Sequence, residues 1–228
     1  MRLGGMLKNS TLDYPGLVSA VIFTQGCNFT CPYCHNPHLV SFFGTPLTEE
    51  AVLFFLRKRR PFLDGVVISG GEPTIQPDLA EFCKQLQSLG YQVKLDTNGS
   101  DPEVVRNLIE RKLINYLALD LKSDPGNYPL EIAPSRGEAI LTTIALLKRA
   151  AIPYEFRTTC AAPFVNRETI ERIAQAARGS ASLFLQPCHL ERDLLDSVFM
   201  HTQPRLSIAE IEEFCLVAGS YLPTVVRR

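Results

Sequence analysis

Three cysteines, Cys27, Cys31 and Cys34, stand in a C-x3-C-x2-C spacing within residues 25–37 (QGCNFTCPYCHNP), just after the apolar, β-branched run at 17–23. Thiolates are the ligands of iron–sulfur clusters, and three on one short loop can converge on a single inorganic centre. The next cysteine, Cys83, lies far along the chain in a helical pattern. The ligand set is therefore incomplete, and a centre with an open position can bind and transform a second molecule. Zinc is the plain alternative, because His35 or His38 can supply a fourth ligand. Zinc loops usually carry two C-x2-C-type pairs a dozen or more residues apart, and no second pair follows here. A disulfide framework fits less well, since seven cysteines is an odd count and no secretory peptide precedes them.

Further polar residues close other apolar runs. Ser69-Gly70-Gly71-Glu72-Pro73 follows the run at 65–69. Its glycines admit close backbone approach and unusual dihedrals, although G-G and E-P are also ordinary turn dipeptides. Asp96-Thr97-Asn98-Gly99 and Asp120-Leu121-Lys122 close two later runs. Paired carboxylates suggest acid–base work, and Asn98-Gly99 alone reads as a turn. Arg157 interrupts an apolar strand, where a cation needs a partner.

Taken together these residues resemble the radical S-adenosylmethionine (radical SAM) enzymes. The triplet reads C-x3-C-x-aromatic-C with Tyr33 as the aromatic, and residues 70–73 match the GGEP motif. Asp13-Tyr14-Pro15-Gly16, Cys34-His35-Asn36, D-T-N-G at 96–99 and D-x-K at 120–122 are similar to elements of the glycyl-radical-enzyme activases, in the same order, from about residue 3 to 186. Within that group the chain looks closest to activating proteins of anaerobic ribonucleoside-triphosphate reductase.

The resemblance implies an α/β fold, a partial (β/α)6 TIM-like barrel. It implies that Cys27, Cys31 and Cys34 each bind one iron of a [4Fe-4S] cluster, whose fourth iron takes the amino nitrogen and carboxylate of SAM. Reductive cleavage then gives methionine and a 5′-deoxyadenosyl radical that makes a glycyl radical on a partner enzyme. A flavodoxin or ferredoxin-type donor supplies the electron. Gly70 and Gly71 bring backbone to SAM, Glu72 accepts from its ammonium, and Tyr33 packs near the adenine. Asp96 and Asp120 lie near the methionine carboxylate, where a monovalent cation can bridge them. Lys122 donates to the carboxylate or ribose, Arg157 reaches the carboxylate, and Asn98 and His189 are further contacts. Two rivals remain: a radical SAM enzyme acting on a small molecule, of the deazapurine synthase type, and a zinc-stabilised binding module.

The remaining chain must position these groups. At 228 residues and 46% hydrophobic it can bury one sizeable core, read as a single domain over 1–228 with a core at about 15–190 and a helical segment at about 205–220. A formal charge of −1 gives no electrostatic reason to expect nucleic acid. No run approaches the ~20 apolar residues of a bilayer span. With no export signal read in the first residues, reduced thiols are expected to place the protein in a cytoplasm. Six strand-like runs, at 17–23, 65–69, 91–96, 116–120, 154–159 and 182–186, alternate with helical patterns. The helices are expected near 48–59, 77–89, 101–112, 137–150 and 166–178, with an irregular stretch reaching Pro134 and a last helix opening on a Ser207/Glu210 capping box. In parallel α/β sheets ligands sit at the C-terminal strand ends, and each motif closes such a run.

Overall fold

The computed structural model describes every residue except Phe43, Gly44, Pro134 and Ala181, so Pro134, the far end of the irregular stretch, lies outside the described residues. The described chain forms two compact units. One comprises 1–28, 38–97 and 103–117; the other comprises 29–37, 98–102 and 118–228.

The first unit begins with β1 (Leu3–Ser10), antiparallel to β2 (Ser19–Thr24). A short α1 (Pro37–Val40), whose Pro37 belongs to the second unit, and α2 (Glu49–Arg59) lead into β3 (Gly65–Gly70). A 3-10 turn (Pro73–Ile75) and α3 (Leu79–Ser88) connect β3 to β4 (Gln92–Thr97), and α4 (Pro102–Glu110) follows. Strands β2, β3 and β4 are parallel, with Ile22 opposite Ile68 and Ile68 opposite Leu95. Their near-continuous Val, Ile and Leu runs suit strands covered on both faces. Val66, Val67, Ile68, Val93 and Leu95 are fully buried, as are Leu56, Phe82, Leu86 and Leu108 of the helices. Tyr14 packs on Val21 and Val67, with Leu17, Phe23 and Tyr116 around them.

Local chemistry sets the helix ends. Thr48 caps α2 by accepting from the Ala51 amide at 3.2 Å. Gly90 takes φ +87° just past α3, the left-handed conformation that ends a helix at C′. Arg60 donates from its guanidinium to the carbonyls of Leu63, Leu89 and Gly90 at 2.8–3.2 Å, satisfying the C-terminus of α3.

The main part of the second unit begins within β5 (Tyr116–Asp120). There follow α5 (Gly137–Leu147), β6 (Tyr154–Cys160), α6 (Arg167–Ala176), β7 (Leu183–Pro187), α7 (Ser197–Thr202), α8 (Ile208–Gly219) and β8 (Val225–Arg227). Strands β6, β7 and β8 are parallel and adjacent in chain order. Ile140, Ile144 and Leu147 are buried at i, i+4 and i+7, as the periodicity predicts.

All six expected strands form, within two residues of their predicted ends. Two strands are additional. β1 escapes the pattern because Gly4-Gly5 and Lys8-Asn9 break its alternation, and β8 is only three residues long. The Ser207/Glu210 capping box is present, but Ile208 is 50% exposed, and the buried stripe is Ile211, Phe214 and Ala218. Ile208 occupies the first turn, directly after the cap.

Candidate functional site

In the first unit the motif residues meet through backbone. Gly26 takes φ +96° and donates to the Leu39 carbonyl at 2.7 Å, and the Cys27 amide donates to Val40 at 3.0 Å. The turn at 70–72 lies directly on this segment: the Gly71 amide donates to Thr24 at 2.9 Å and the Glu72 amide to Gly26 at 2.8 Å. Both glycines are required. A Cβ on Gly70, at φ +111°, would stand 2.4 Å from the Thr24 nitrogen, and one on Gly71 would stand 2.0 Å from the Gly26 oxygen. The second reading of G-G-E-P, a simple surface turn, does not describe this packing.

Glu72 is 1% exposed. Its Oε1 accepts from the Thr74 amide at 3.0 Å, from the Thr74 hydroxyl at 2.6 Å and from the Thr97 hydroxyl at 2.6 Å. Thr97 and Thr74 thus orient Glu72, a role the sequence reading did not assign. A signal was present, since threonine two residues after a glutamate can complete a side-chain cap. Asp96, on the same face of β4 as Lys94, accepts from that ammonium at 2.7 Å.

In the second unit Asp120, Lys122 and Arg157 come together. Lys122 Nζ lies 3.0 Å from Asp120 Oδ2, and Arg157 Nε lies 2.8 Å from Asp120 Oδ1. All three are partly buried. One carboxylate between two cations leaves a net charge of +1, which suits an incoming anion. Burial alone would raise the Asp120 carboxyl, but Arg157 and then Lys122 outweigh it and hold the group well below the usual carboxylate range. Burial would likewise lower the Lys122 ammonium, and Asp120, followed by Cys31, outweighs it in the opposite direction.

These directions set a pH window. The depressed carboxyl contributes stability above its unfolded pKa of about 3.9, lost as pH falls through the folded value. The raised ammonium contributes below about 10.4, lost as pH rises through its folded value. The trio's contribution is therefore flat between about pH 4 and pH 10. Asp120→Asn should cost about 1–2 kcal/mol, reduced from the buried-pair figure because the groups meet water. That lowers the melting temperature by about 2–8 °C at pH 7. Thermal melts of both proteins check this, and the difference should shrink below pH 4.

Tyr33 is buried, donates to the Lys122 carbonyl at 3.2 Å and packs on Phe164 with centroids 5.7 Å apart and the rings tilted by 45°. Tyr128 accepts from the Lys122 amide at 2.8 Å, so two aromatic hydroxyls frame that residue. Cys31 and Cys34 share a turn closed by the Cys34 amide on the Cys31 carbonyl at 2.9 Å. Asp196 and Leu195 hold it, donating from their amides to Pro32 at 3.0 Å and Cys34 at 3.2 Å. Among the described residues Cys27, Cys31 and Cys34 take part in no disulfide. Asn98 is buried and its Oδ1 accepts from the Ser100 amide at 2.9 Å, the turn that N-G suggested. His189 is half-exposed, 3.0 Å from Glu191 and 6.1 Å from the His35 ring. Among the described residues His35 Nε2 is buried without a hydrogen-bond partner.

Comparison with known proteins places the chain in a family. The family model described as the radical SAM superfamily matches residues 21–177. The chain belongs to the radical SAM superfamily. A candidate glycyl-radical enzyme activating enzyme of Methanocaldococcus jannaschii is 36% identical over 236 aligned positions, spanning 99% of this chain and 95% of that one. A pyruvate formate-lyase-activating enzyme of Clostridium pasteurianum is 38% identical over 94 residues, 39% of each chain. Among solved structures, Streptococcus suis SuiB bound to S-adenosylmethionine superposes with a TM-score of 0.71 at 13% identity, covering 91% of this chain and 49% of SuiB.

Within the superfamily, then, this is an enzyme of the glycyl-radical-enzyme activating group, with the α/β partial-barrel fold of that superfamily. Its cofactors are the superfamily's [4Fe-4S] cluster and SAM. The zinc-module alternative is set aside with the family in hand. No described helix is long and apolar enough to cross a membrane.

Proposed function

We propose that this enzyme reductively cleaves SAM at a [4Fe-4S] cluster held by Cys27, Cys31 and Cys34, and generates a glycyl radical on a partner enzyme. Bound together, the two cofactors supply a one-electron reductant and a cleavable sulfonium, yielding methionine and 5′-deoxyadenosyl. The protein's residues bind, orient and exclude water. The cysteines offer three soft thiolate ligands on one loop, leaving one iron for SAM.

The observation that carries this reading is the seating of Gly70 and Gly71 on the backbone leading into Cys27, where any Cβ is excluded. It holds the turn at 70–72 directly against the backbone that leads into the ligand loop. In the second unit, the net positive Asp120–Lys122–Arg157 trio supplies donors suited to the SAM carboxylate. Tyr33, on Phe164 and the Lys122 carbonyl, offers a fixed aromatic wall for the adenine. Glu72, Asn98 and His189 are proposed as further SAM contacts.

The partner is a glycyl radical enzyme, with anaerobic ribonucleoside-triphosphate reductase the one favoured by the motif wording. A flavodoxin or ferredoxin-type protein provides the electron. The test is anaerobic: reconstitute with iron and sulfide, reduce with dithionite, add SAM, and measure 5′-deoxyadenosine. A brown protein making deoxyadenosine only with both reductant and SAM is expected, and a glycyl radical should appear in the paramagnetic resonance spectrum once the reductase is added. A colourless protein with one tight zinc and no deoxyadenosine would overturn the reading.

A further inference from the structure

Asp96 and Asp120 are the carboxylates that the family resemblance leaves to a bound monovalent cation, yet the chain's own cations already stand on both. On Asp120 they are Lys122 and Arg157. On Asp96 it is Lys94, whose side chain is 1% exposed beside a carboxylate that is 8% exposed. The Lys94 ammonium lies 2.7 Å from Asp96 Oδ1 and 2.7 Å from the Asp13 carbonyl oxygen, with the Tyr116 ring centroid 5.9 Å away. A carbonyl oxygen, a carboxylate oxygen and an aromatic ring are the surroundings a small dehydrated cation seeks.

Charge counting agrees. Each carboxylate has a cation of the chain on it: Lys94 on Asp96, and Lys122 and Arg157 on Asp120, so neither is left uncompensated. Burying a lysine demands such a partner, since an isolated ammonium out of water is very costly. The geometry also explains why the lysine sits two residues before Asp96, because i and i+2 share one face of a strand.

We propose that Lys94 is this enzyme's built-in monovalent cation: its ammonium on Asp96 supplies the charge otherwise taken from dissolved alkali ions, so SAM binding needs none. The same ammonium anchors the loop at 13–16 through the Asp13 carbonyl, next to the buried Tyr14. Lys94 is a positioning residue, acting through Asp96. The inference rests on the SAM reading above, and its test separates the two.

The affinity of the reconstituted enzyme for SAM is measured by calorimetry in potassium, sodium and tetramethylammonium chloride at one ionic strength, which holds screening constant. The wild type should bind SAM equally, within about twofold, in all three salts. Lys94→Met keeps the apolar stem and removes the charge. Its affinity should fall at least about tenfold in tetramethylammonium and be largely restored by potassium or sodium. Wild-type affinity at least about tenfold weaker in tetramethylammonium than in potassium overturns the proposal, and so does a Lys94→Met enzyme that no alkali ion rescues. Should the variant fail to fold, the wild-type comparison still decides. Should SAM not bind in any salt, the SAM reading fails, and melts of the wild type in the same salts still test Lys94. Indifference to the cation supports it, and alkali-dependent stabilisation, the mass-action mark of a bound ion, overturns it.

Discussion

A Cys31→Ala enzyme reconstituted with iron and sulfide should hold no [4Fe-4S] cluster and make deoxyadenosine only at the level of a cluster-free control. Three thiolates are the minimum that leaves one iron open while fixing the other three, so removing one abolishes the site rather than weakening it. The fold has little stake in that sulfur. Cys31 is 7% exposed, and the turn it shares with Cys34 is closed by backbone, which the substitution leaves in place. Losing one buried thiol should cost about 1 kcal/mol, or about 2–4 °C in the melting temperature of the cluster-free protein. Iron content, deoxyadenosine yield and that melt together separate loss of ligand from loss of fold. Wild-type iron content in the variant would remove Cys31 from the ligand set.

Gly71→Ala should be nearly as damaging, by a different route. The new Cβ would meet the Gly26 oxygen at 2.0 Å, the Gly26 carbon at 2.7 Å and the Leu39 oxygen at 3.0 Å, all backbone atoms that cannot rotate away. Something in the segment preceding Cys27 has to move. Overpacking a close-packed site costs about 1–3 kcal/mol, and backbone obstruction belongs at the upper end. A cost of about 3 kcal/mol lowers the melting temperature by about 6–12 °C. Because Gly26 adjoins Cys27, the shift should also reduce cluster uptake, giving less iron per chain under the same reconstitution. An alanine variant that melts and loads like the wild type would mean that the turn at 70–72 does not control the ligand loop.

Much of this was legible in the chain itself. Strong local signals survived folding: Thr48 and the Ser207/Glu210 box cap their helices, Gly90 ends α3, and the β-branched runs became buried parallel strands. The trio of Asp120, Lys122 and Arg157 could be anticipated in part, because an arginine in an apolar strand requires an anion. What stayed hidden depended on contacts between distant residues. Nothing near Thr97 announces that its hydroxyl will lie on Glu72, 25 residues away. In the chain Lys94 is one polar residue within a strand-like run, and only the fold brings Asp13, 81 residues earlier, to its ammonium. β1 was missed because glycine and polar residues erase the period-two pattern that marks a half-buried strand.

The seating of the turn at 70–72 bears on how the enzyme recovers from air. Gly26 and Cys27 are held by the Leu39 and Val40 carbonyls and by the amide of Glu72, none of which involves iron. This part of the ligand loop therefore keeps its course in a chain whose cluster oxygen has destroyed. Rebuilding a cluster is then expected to ask, at this end of the loop, for iron, sulfide and reduced thiols rather than for a new backbone path.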